Sequence, residues 1–189
     1  MRTFLLFILL IALSACYSVK QHVEAGKPFI QKIEWPKPYL PDQSKFFVHN
    51  AIHIDADSQS IWNVLIAAKT WQSYYSGARV DSILQADTAG NLGPSSILKW
   101  KTMGLQFTSS IREFTPGRSL AWESIRGNIQ GYHAWLILPD ATGCMLITEE
   151  AQKGWLTFFE KTFQANKLER LHQEWLEGIK HIVESKNHE

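Results

Sequence analysis

Residues 131–150, GYHAWLILPDATGCMLITEE, predict two β-strands joined by a tight turn at PDATG. Successive side chains of a strand face opposite sides of its sheet. Both sides of the first strand are apolar. One side carries His133, Trp135 and Ile137, and the other carries Tyr132, Leu136 and Leu138. A strand with one face in water alternates apolar with polar residues. We therefore expect both faces of this hairpin to be covered, one by an outer layer or partly by solvent, the other lining a cavity.

The chain around this hairpin predicts a meander of short strands. A first strand spans residues 45–54, and the following DADSQSIWNVLIAA is a helix that Asp57 or Ser58 can cap. KTWQSYYSG continues as a second short helix or an irregular turn. Alternating runs separated by turn residues then predict strands at 78–86, 95–103, 105–115, 118–126, 129–139 and 143–152.

A long helix closes the chain, from Trp155 to about residue 184. Two apolar stripes mark it; they consist of Trp155, Phe158, Phe159, Thr162 and Phe163, and of Leu168, Leu171, Trp175, Ile179, Ile182 and Val183. Gly178 costs such a helix about 1 kcal/mol relative to Ala. An antiparallel sheet of this size must bury one face, and this helix is the large element that can cover it. The predicted fold class is α+β, with seven antiparallel strands curved around the C-terminal helix.

The N-terminus has the pattern of an export signal. Arg2 precedes an apolar run over residues 4–13, which is too short to span a bilayer as a mature helix. The last residues, LSAC, resemble the lipobox of bacterial lipoproteins, and this resemblance implies that Cys16 is acylated after cleavage. An ordinary secretory signal with a chance Cys is the alternative. The expected segments are a signal peptide (1–15), a lipidated tether (16–44) and one domain (45–186).

The tether is expected to be extended, because KPFIQKIEWPKPYLPDQ holds four prolines. Its apolar residues leave open whether part of it docks on the domain. Tyr17 rather than Asp follows Cys16, which favours the periplasmic face of the outer membrane if the Gram-negative sorting rule applies. Nineteen basic and 18 acidic residues provide no charge field for nucleic acid. We expect a monomer that contacts the membrane only through its lipid anchor.

The element order resembles the START-like or SRPBCC superfamily, the helix-grip fold of polyketide cyclase-like proteins. Three stretches carry the resemblance over residues 46–184: AIHIDADSQSIWNVLIAAKTWQSYY, IREFTPGRSLAWES and HAWLILPDATGCMLITEE. Cys144 stands where the family usually has Thr; we expect a small buried hydrophobe rather than a nucleophile there. The resemblance implies an apolar cavity between the sheet and the long helix.

The expected ligand-binding residues are mostly aromatic, with Trp71 near the entrance. They are Trp71, Trp100, Phe107, Leu120, Trp122, His133, Trp135, Ile137, Phe159 and Phe163. The alternative is that these side chains fill the space completely. His133 can orient a ligand or act as a base, or it is a hydrogen-bonded core histidine. At most one of the adjacent Glu149 and Glu150 shares its face of the sheet.

No metal site, cofactor or catalytic set is expected. His49 and His53 share a strand face but are about 13 Å apart, which is too far for one ion. No metal-ligand or nucleophile motif occurs in the sequence. The favoured function is an envelope lipoprotein that binds a small hydrophobic molecule or lipid in the cavity. A cyclase, dehydratase or hydrolase-like enzyme using His133 is one alternative, and an assembly or stress factor acting through its surface, with exposed aromatics near WQSYYSG, is another.

Overall fold

A seven-stranded antiparallel sheet forms the framework of the protein. The computed structural model describes residues 20–154 and 157–186, with side chains for 20–154 and 167–186. The strands are β1 (Phe46–Ile54), β2 (Ala78–Leu84), β3 (Ile97–Thr102), β4 (Leu105–Thr115), β5 (Ser119–Arg126), β6 (Ile129–Pro139) and β7 (Cys144–Lys153). The helices are α1 (20–30), α2 (Ser58–Ile66) and α3 (Thr157–Lys186), with 3₁₀ turns at Lys37–Tyr39, Pro41–Gln43 and Ala68–Ser73. The predicted fold class is confirmed.

The strand order β1-β7-β6-β5-β4-β3-β2 follows from the short hairpins between consecutive strands. Only β1 departs from the meander, since it pairs with β7 from Phe46↔Gln152 to Ile54↔Cys144. The β2–β3 register shifts between Val80 and Ser82, and the β4–β5 register shifts between Ile111 and Glu113. Such irregularities bend a sheet and increase its twist. The sheet can therefore curve around a helix on its inner face.

The inner face packs against α2, the 3₁₀ turn that follows it and the C-terminal part of α3. Asp57 caps α2, because its carboxylate accepts the backbone N–H of Ser60 at 2.9 Å. Gly178 lets α3 approach this turn: a Cβ added there would lie 2.7 Å from the carbonyl oxygen of Tyr74. The glycine that weakens the isolated helix thus permits close packing near the site.

The outer face of the sheet is covered by the chain that precedes β1. Ile33 and Tyr39 are buried in a second apolar cluster with strand residues that include Phe47 and Tyr132. The hydroxyl of Tyr39 donates to Glu123 Oε1 at 2.7 Å. Residues 20–43 are therefore partly helical where an extended tether was expected, and the docking that their apolar residues left open does occur. Proline-rich composition did not prevent docking, because the apolar residues between the prolines find a matching surface.

Within the described residues, no helix has the length and apolarity needed to cross a membrane. The predicted signal peptide and Cys16 lie outside the described residues. The signal cleavage, the lipid anchor and the boundary at residue 44 therefore stay predictions.

Candidate functional site

The two faces of β6 have different surroundings, as the apolar pattern of residues 131–150 indicates. Trp135 and Ile137 belong to the core between the sheet and the helices. Tyr132 and Ala134 belong to the outer cluster under residues 20–43. Both faces are therefore core, and the inner face is the one that reaches α3.

Five tryptophans pack together on the inner face and are all at most 3% exposed. Trp175 of α3 lies at their centre, with its ring 4.7 Å from that of Trp71 and 5.0 Å from that of Trp135. Trp71 does not lie at an entrance, as the sequence led us to expect; it is fully buried, and its indole N–H donates to the Leu65 carbonyl. Aromatic packing thus occupies much of the space under α3.

A cavity of about 30 Å³ remains beside this cluster. Such a volume holds one or two water molecules. Four of the predicted ligand-binding residues line it: Trp100, Phe107, Trp122 and His133. Four others are buried in the same core without lining it, namely Trp71, Leu120, Trp135 and Ile137. The side chains of Phe159 and Phe163 lie outside those that the structure describes.

Three ionisable side chains meet in the wall of this cavity. Glu150 Oε2 lies 3.2 Å from His133 Nδ1 and 3.3 Å from His172 Nε2. The two imidazole rings stack with their centroids 4.6 Å apart. Gln152 donates to the other carboxylate oxygen, Oε1, at 2.7 Å. We call His133, Glu150 and His172 the polar cluster.

Each member of the polar cluster comes from a different element. His133 and Glu150 are opposite one another in the β6–β7 register. His172 lies one helical turn before Trp175 on the buried side of α3. Both histidines are at most 3% exposed, and the Glu150 side chain is 15% exposed. The helix therefore completes a site that the sheet alone does not hold.

The electrostatics favour an ionised carboxylate beside a neutral His133. Burial lowers the pKa of His133 to about 4, against the opposing effect of Glu150. Burial raises the pKa of Glu150, but hydrogen bonds from His133 and His172 outweigh it and leave the pKa well below its usual range. In a neutral His133, Nδ1–H donates to Glu150 and Nε2 accepts from the Thr148 hydroxyl at 2.7 Å. A carboxylate with several donors is a stable anion even when buried.

Four buried polar atoms of cavity-lining residues have no hydrogen-bond partner among the described residues. They are the indole nitrogens of Trp122 and Trp175, Oε1 of Gln152 and Nδ1 of His172. Buried polar groups are normally paired, so each of these atoms has unused capacity for a ligand or a water. The three residues of the polar cluster could also hold a metal ion, because one ligand atom from each lies within 4.8 Å of the others.

His172 was not among the residues predicted from the sequence, which offered His133 as the one ionisable group for the cavity, with Glu150 as a second at most. A signal was present, because His172 follows Leu168 by four residues and precedes Trp175 by three, positions on one helix face. The opposite directions of the adjacent glutamates were predicted correctly. Glu150 joins the polar cluster, whereas Glu149 accepts from His49 at 2.8 Å near α1.

The remaining sequence candidates do not form a second site. In the WQSYYSG segment, Trp71 and Tyr75 are buried, so the exposed aromatic cluster that would mark a surface factor is not found there. Cys144 is 1% exposed, and burial raises the pKa of its thiol. A buried thiol with a raised pKa is a poor nucleophile. This agrees with its expected role as a small hydrophobe.

Comparison with known proteins supports the fold through structure alone. No family model and no curated protein matches the chain. A hypothetical protein of Helicobacter pylori superposes with a TM-score of 0.72 at 24% identity, covering 80% of this chain and 95% of that one. The di-domain ARO/CYC protein StfQ of the steffimycin biosynthetic pathway gives 0.60 at 11%, covering 76% and 52%.

A norcoclaurine synthase from Thalictrum, solved with a transition-state analogue, gives a TM-score of 0.56 at 12% identity and covers 75% of this chain and 95% of that chain. Identities this low establish a shared fold and no shared activity. Each of the three superpositions covers at least 75% of this chain, whose framework is a seven-stranded antiparallel sheet and a long C-terminal helix. The chain therefore has the START-like, or SRPBCC, helix-grip fold.

Proposed function

We propose that this protein binds a small, largely apolar molecule between the inner face of the sheet and α3, with a polar group of that molecule against the polar cluster. The observation that carries the proposal is the position of His133, Glu150 and His172 in the wall of an aromatic cavity. Ligand sites typically combine apolar walls with a few polar groups that fix orientation. The unpaired Trp122 N–H supplies a further donor for an acceptor atom of the ligand.

The size of the cavity restricts the bound molecule. About 30 Å³ is less than a drug-sized ligand needs. Binding of anything larger than a few atoms therefore requires side chains to move, and Met103 and Leu168 are two lining residues outside the tryptophan cluster. Methionine adapts readily, because its unbranched side chain has several rotatable bonds. Each Å² of apolar ligand surface removed from water then contributes about 25 cal/mol.

The place of this function is proposed from the N-terminus. The export signal and the LSAC sequence favour a lipoprotein anchored through Cys16 in the bacterial envelope, with the domain on the periplasmic side of the outer membrane. Each buried methylene of an acyl chain contributes about 0.8 kcal/mol, so two or three chains anchor a protein stably. The domain then needs no membrane-binding face of its own.

An enzyme acting on the same small molecule is the second candidate. It is favoured by the convergence of three ionisable groups in the wall of the cavity. A general base works best when its pKa lies near the working pH. The pKa of His133, at about 4, is far below neutrality. His133 is therefore better suited to accept or donate a fixed hydrogen bond than to remove a proton, and binding is the stronger proposal.

Native mass spectrometry of the full chain, extracted from membranes in a mild detergent, tests the proposal. We expect a co-purified molecule that is lost in Gly131→Val, because Gly131 lines the cavity and an added Cβ would lie 3.1 Å from Glu150 Oε1. Gln130→Val is the matched control, since it adds the same side chain to the opposite face of β6. A chain that carries no molecule and takes up no apolar fluorescent probe would refute the binding function. The measured mass also reports acylation of Cys16.

A further inference from the structure

We infer that the polar cluster is a binding site for a divalent transition-metal ion of the zinc type, held by His133 Nδ1, His172 Nε2 and Glu150 Oε2. Two imidazoles and one carboxylate form a familiar ligand set for catalytic zinc, which keeps a fourth position open. The inference deepens the proposed function. It rests on that function only for the role of the ion, which would contact the polar group of the bound molecule. Its measurement does not depend on that function.

The distances within the polar cluster fit one ion. Ligand atoms on a tetrahedral zinc ion, each at about 2.0–2.1 Å from the metal, lie about 3.3–3.4 Å from one another. Glu150 Oε2 lies 3.2 Å from His133 Nδ1 and 3.3 Å from His172 Nε2. All three ligand atoms fall within 4.8 Å of one another. A small rearrangement of the side chains would therefore bring them around one metal.

The neighbours of His133 and Glu150 support this ligand set, whereas Nδ1 of His172 has no partner among the described residues. A metal-binding histidine usually donates its other ring N–H to a hydrogen-bond acceptor, and this bond orients the ring. His133 Nε2 lies 2.7 Å from the Thr148 hydroxyl, which can accept that bond. Gln152 holds Glu150 Oε1 at 2.7 Å and leaves Oε2 for the ion. These contacts limit the rotation of the two side chains that the sheet contributes.

Charge and protons balance without an added reactant. Each imidazole would move its single proton to the far nitrogen, from Nδ1 to Nε2 in His133 and from Nε2 to Nδ1 in His172. The ion then replaces two hydrogen bonds to Glu150 with three metal bonds. The cavity beside the polar cluster, about 30 Å³ in volume, accommodates a water or a ligand atom at the fourth position.

The other histidine–carboxylate pairs in the described part of the chain each hold one histidine and one carboxylate. They are His22 with Glu169, His49 with Glu149, and His53 with Asp140. Among the described residues, the polar cluster is the one group of three whose ligand atoms come this close. The sequence did not suggest a metal site here, because the three residues follow no metal-binding motif. Glu150 lies 17 residues after His133, and His172 lies 22 residues after Glu150.

The test is zinc binding by the full chain in detergent after removal of bound metal with a chelator. We expect one Zn²⁺ per chain by native mass spectrometry, and Co²⁺ should show a visible absorption that Zn²⁺ abolishes. Glu150→Gln and His172→Gln should each weaken Zn²⁺ binding by at least about 100-fold, the upper end of the loss expected for residues that only support a ligand. Glu149→Gln is the matched control and should bind Zn²⁺ like the natural chain.

The inference is overturned if the natural chain retains no Zn²⁺, or if Glu150→Gln and His172→Gln bind it as well as Glu149→Gln does. Thr148→Val is a further variant for the case that the ligand variants misfold, because it keeps all three ligands. It removes the hydroxyl that contacts His133 Nε2 and should weaken Zn²⁺ binding by about 10- to 100-fold. Zinc binding without any bound organic molecule would uphold this inference and count against the proposed function. An organic molecule bound without zinc would do the reverse.

Discussion

Replacing Gly178 with alanine should destabilise the protein, although alanine is the better helix former. In an exposed helix this change gains about 1 kcal/mol. Here the new Cβ would lie 2.7 Å from both the carbonyl oxygen and Cδ2 of Tyr74. Favourable contacts between carbon atoms lie at about 3.5–4.0 Å, so α3 would have to move outward by close to 1 Å. The carbonyl is backbone and cannot rotate away as a side chain can.

Inserting a methyl group into a packed core costs about 1–3 kcal/mol, and contact with backbone places this site in the upper part of that range. The net loss for Gly178→Ala is therefore about 1–2 kcal/mol after the gain in helix propensity. Urea unfolding followed by tryptophan fluorescence measures it, with His181→Ala on the exposed surface of α3 as the control for propensity alone. An increased free energy of unfolding for Gly178→Ala would refute the close packing of α3 against Tyr74.

Three further changes test other parts of the structure. Trp175→Ala should cost about 3–5 kcal/mol, because it removes the ring at the centre of the tryptophan cluster; calorimetry should show a Tm lower by roughly 6–20 °C. Tyr39→Phe removes a hydrogen bond to the Glu123 carboxylate and should weaken docking of residues 20–43 by about 1.5 kcal/mol. Hydrogen exchange of that segment should then speed up relative to β6, and unchanged exchange would contradict the docking. Burial raises the pKa of Glu149 above 4.5 despite its hydrogen bond from His49, so the natural chain loses stability as pH rises above that value. Glu149→Gln should remove this loss, so its free energy of unfolding in urea should rise relative to that of the natural chain from pH 4.5 upward. A relative fall over this range would contradict the assigned direction of the pKa shift.

The strands could be predicted from the sequence because hairpin turns are local. The TPG and PDATG turns separate runs whose ends agree with β4 to β7 to within one residue. The alternation of Tyr132 and His133 across β6 also follows from strand geometry alone. The START-like resemblance depends on these same local elements, which is why it led to the correct fold.

The site was harder to predict, because its contacts join distant parts of the chain. His172 meets Glu150 only when α3 lies across the sheet. The position of α3 in turn depends on the close packing at Gly178. The cover on the outer face was left open for a related reason. Proline-rich composition predicts an extended chain, but the burial of Ile33 and Tyr39 depends on a complementary surface formed by strands far away in sequence.

A crystal structure of the protein purified without chelator or denaturant tests the central claim most directly. That claim is that the space between the sheet and α3 is a binding site whose polar end is His133, Glu150 and His172. We predict density for a bound molecule in the cavity, with a polar atom within hydrogen-bonding or coordination distance of this cluster. A cavity closed by protein side chains, with no bound molecule or ion in contact with the three residues, would contradict it.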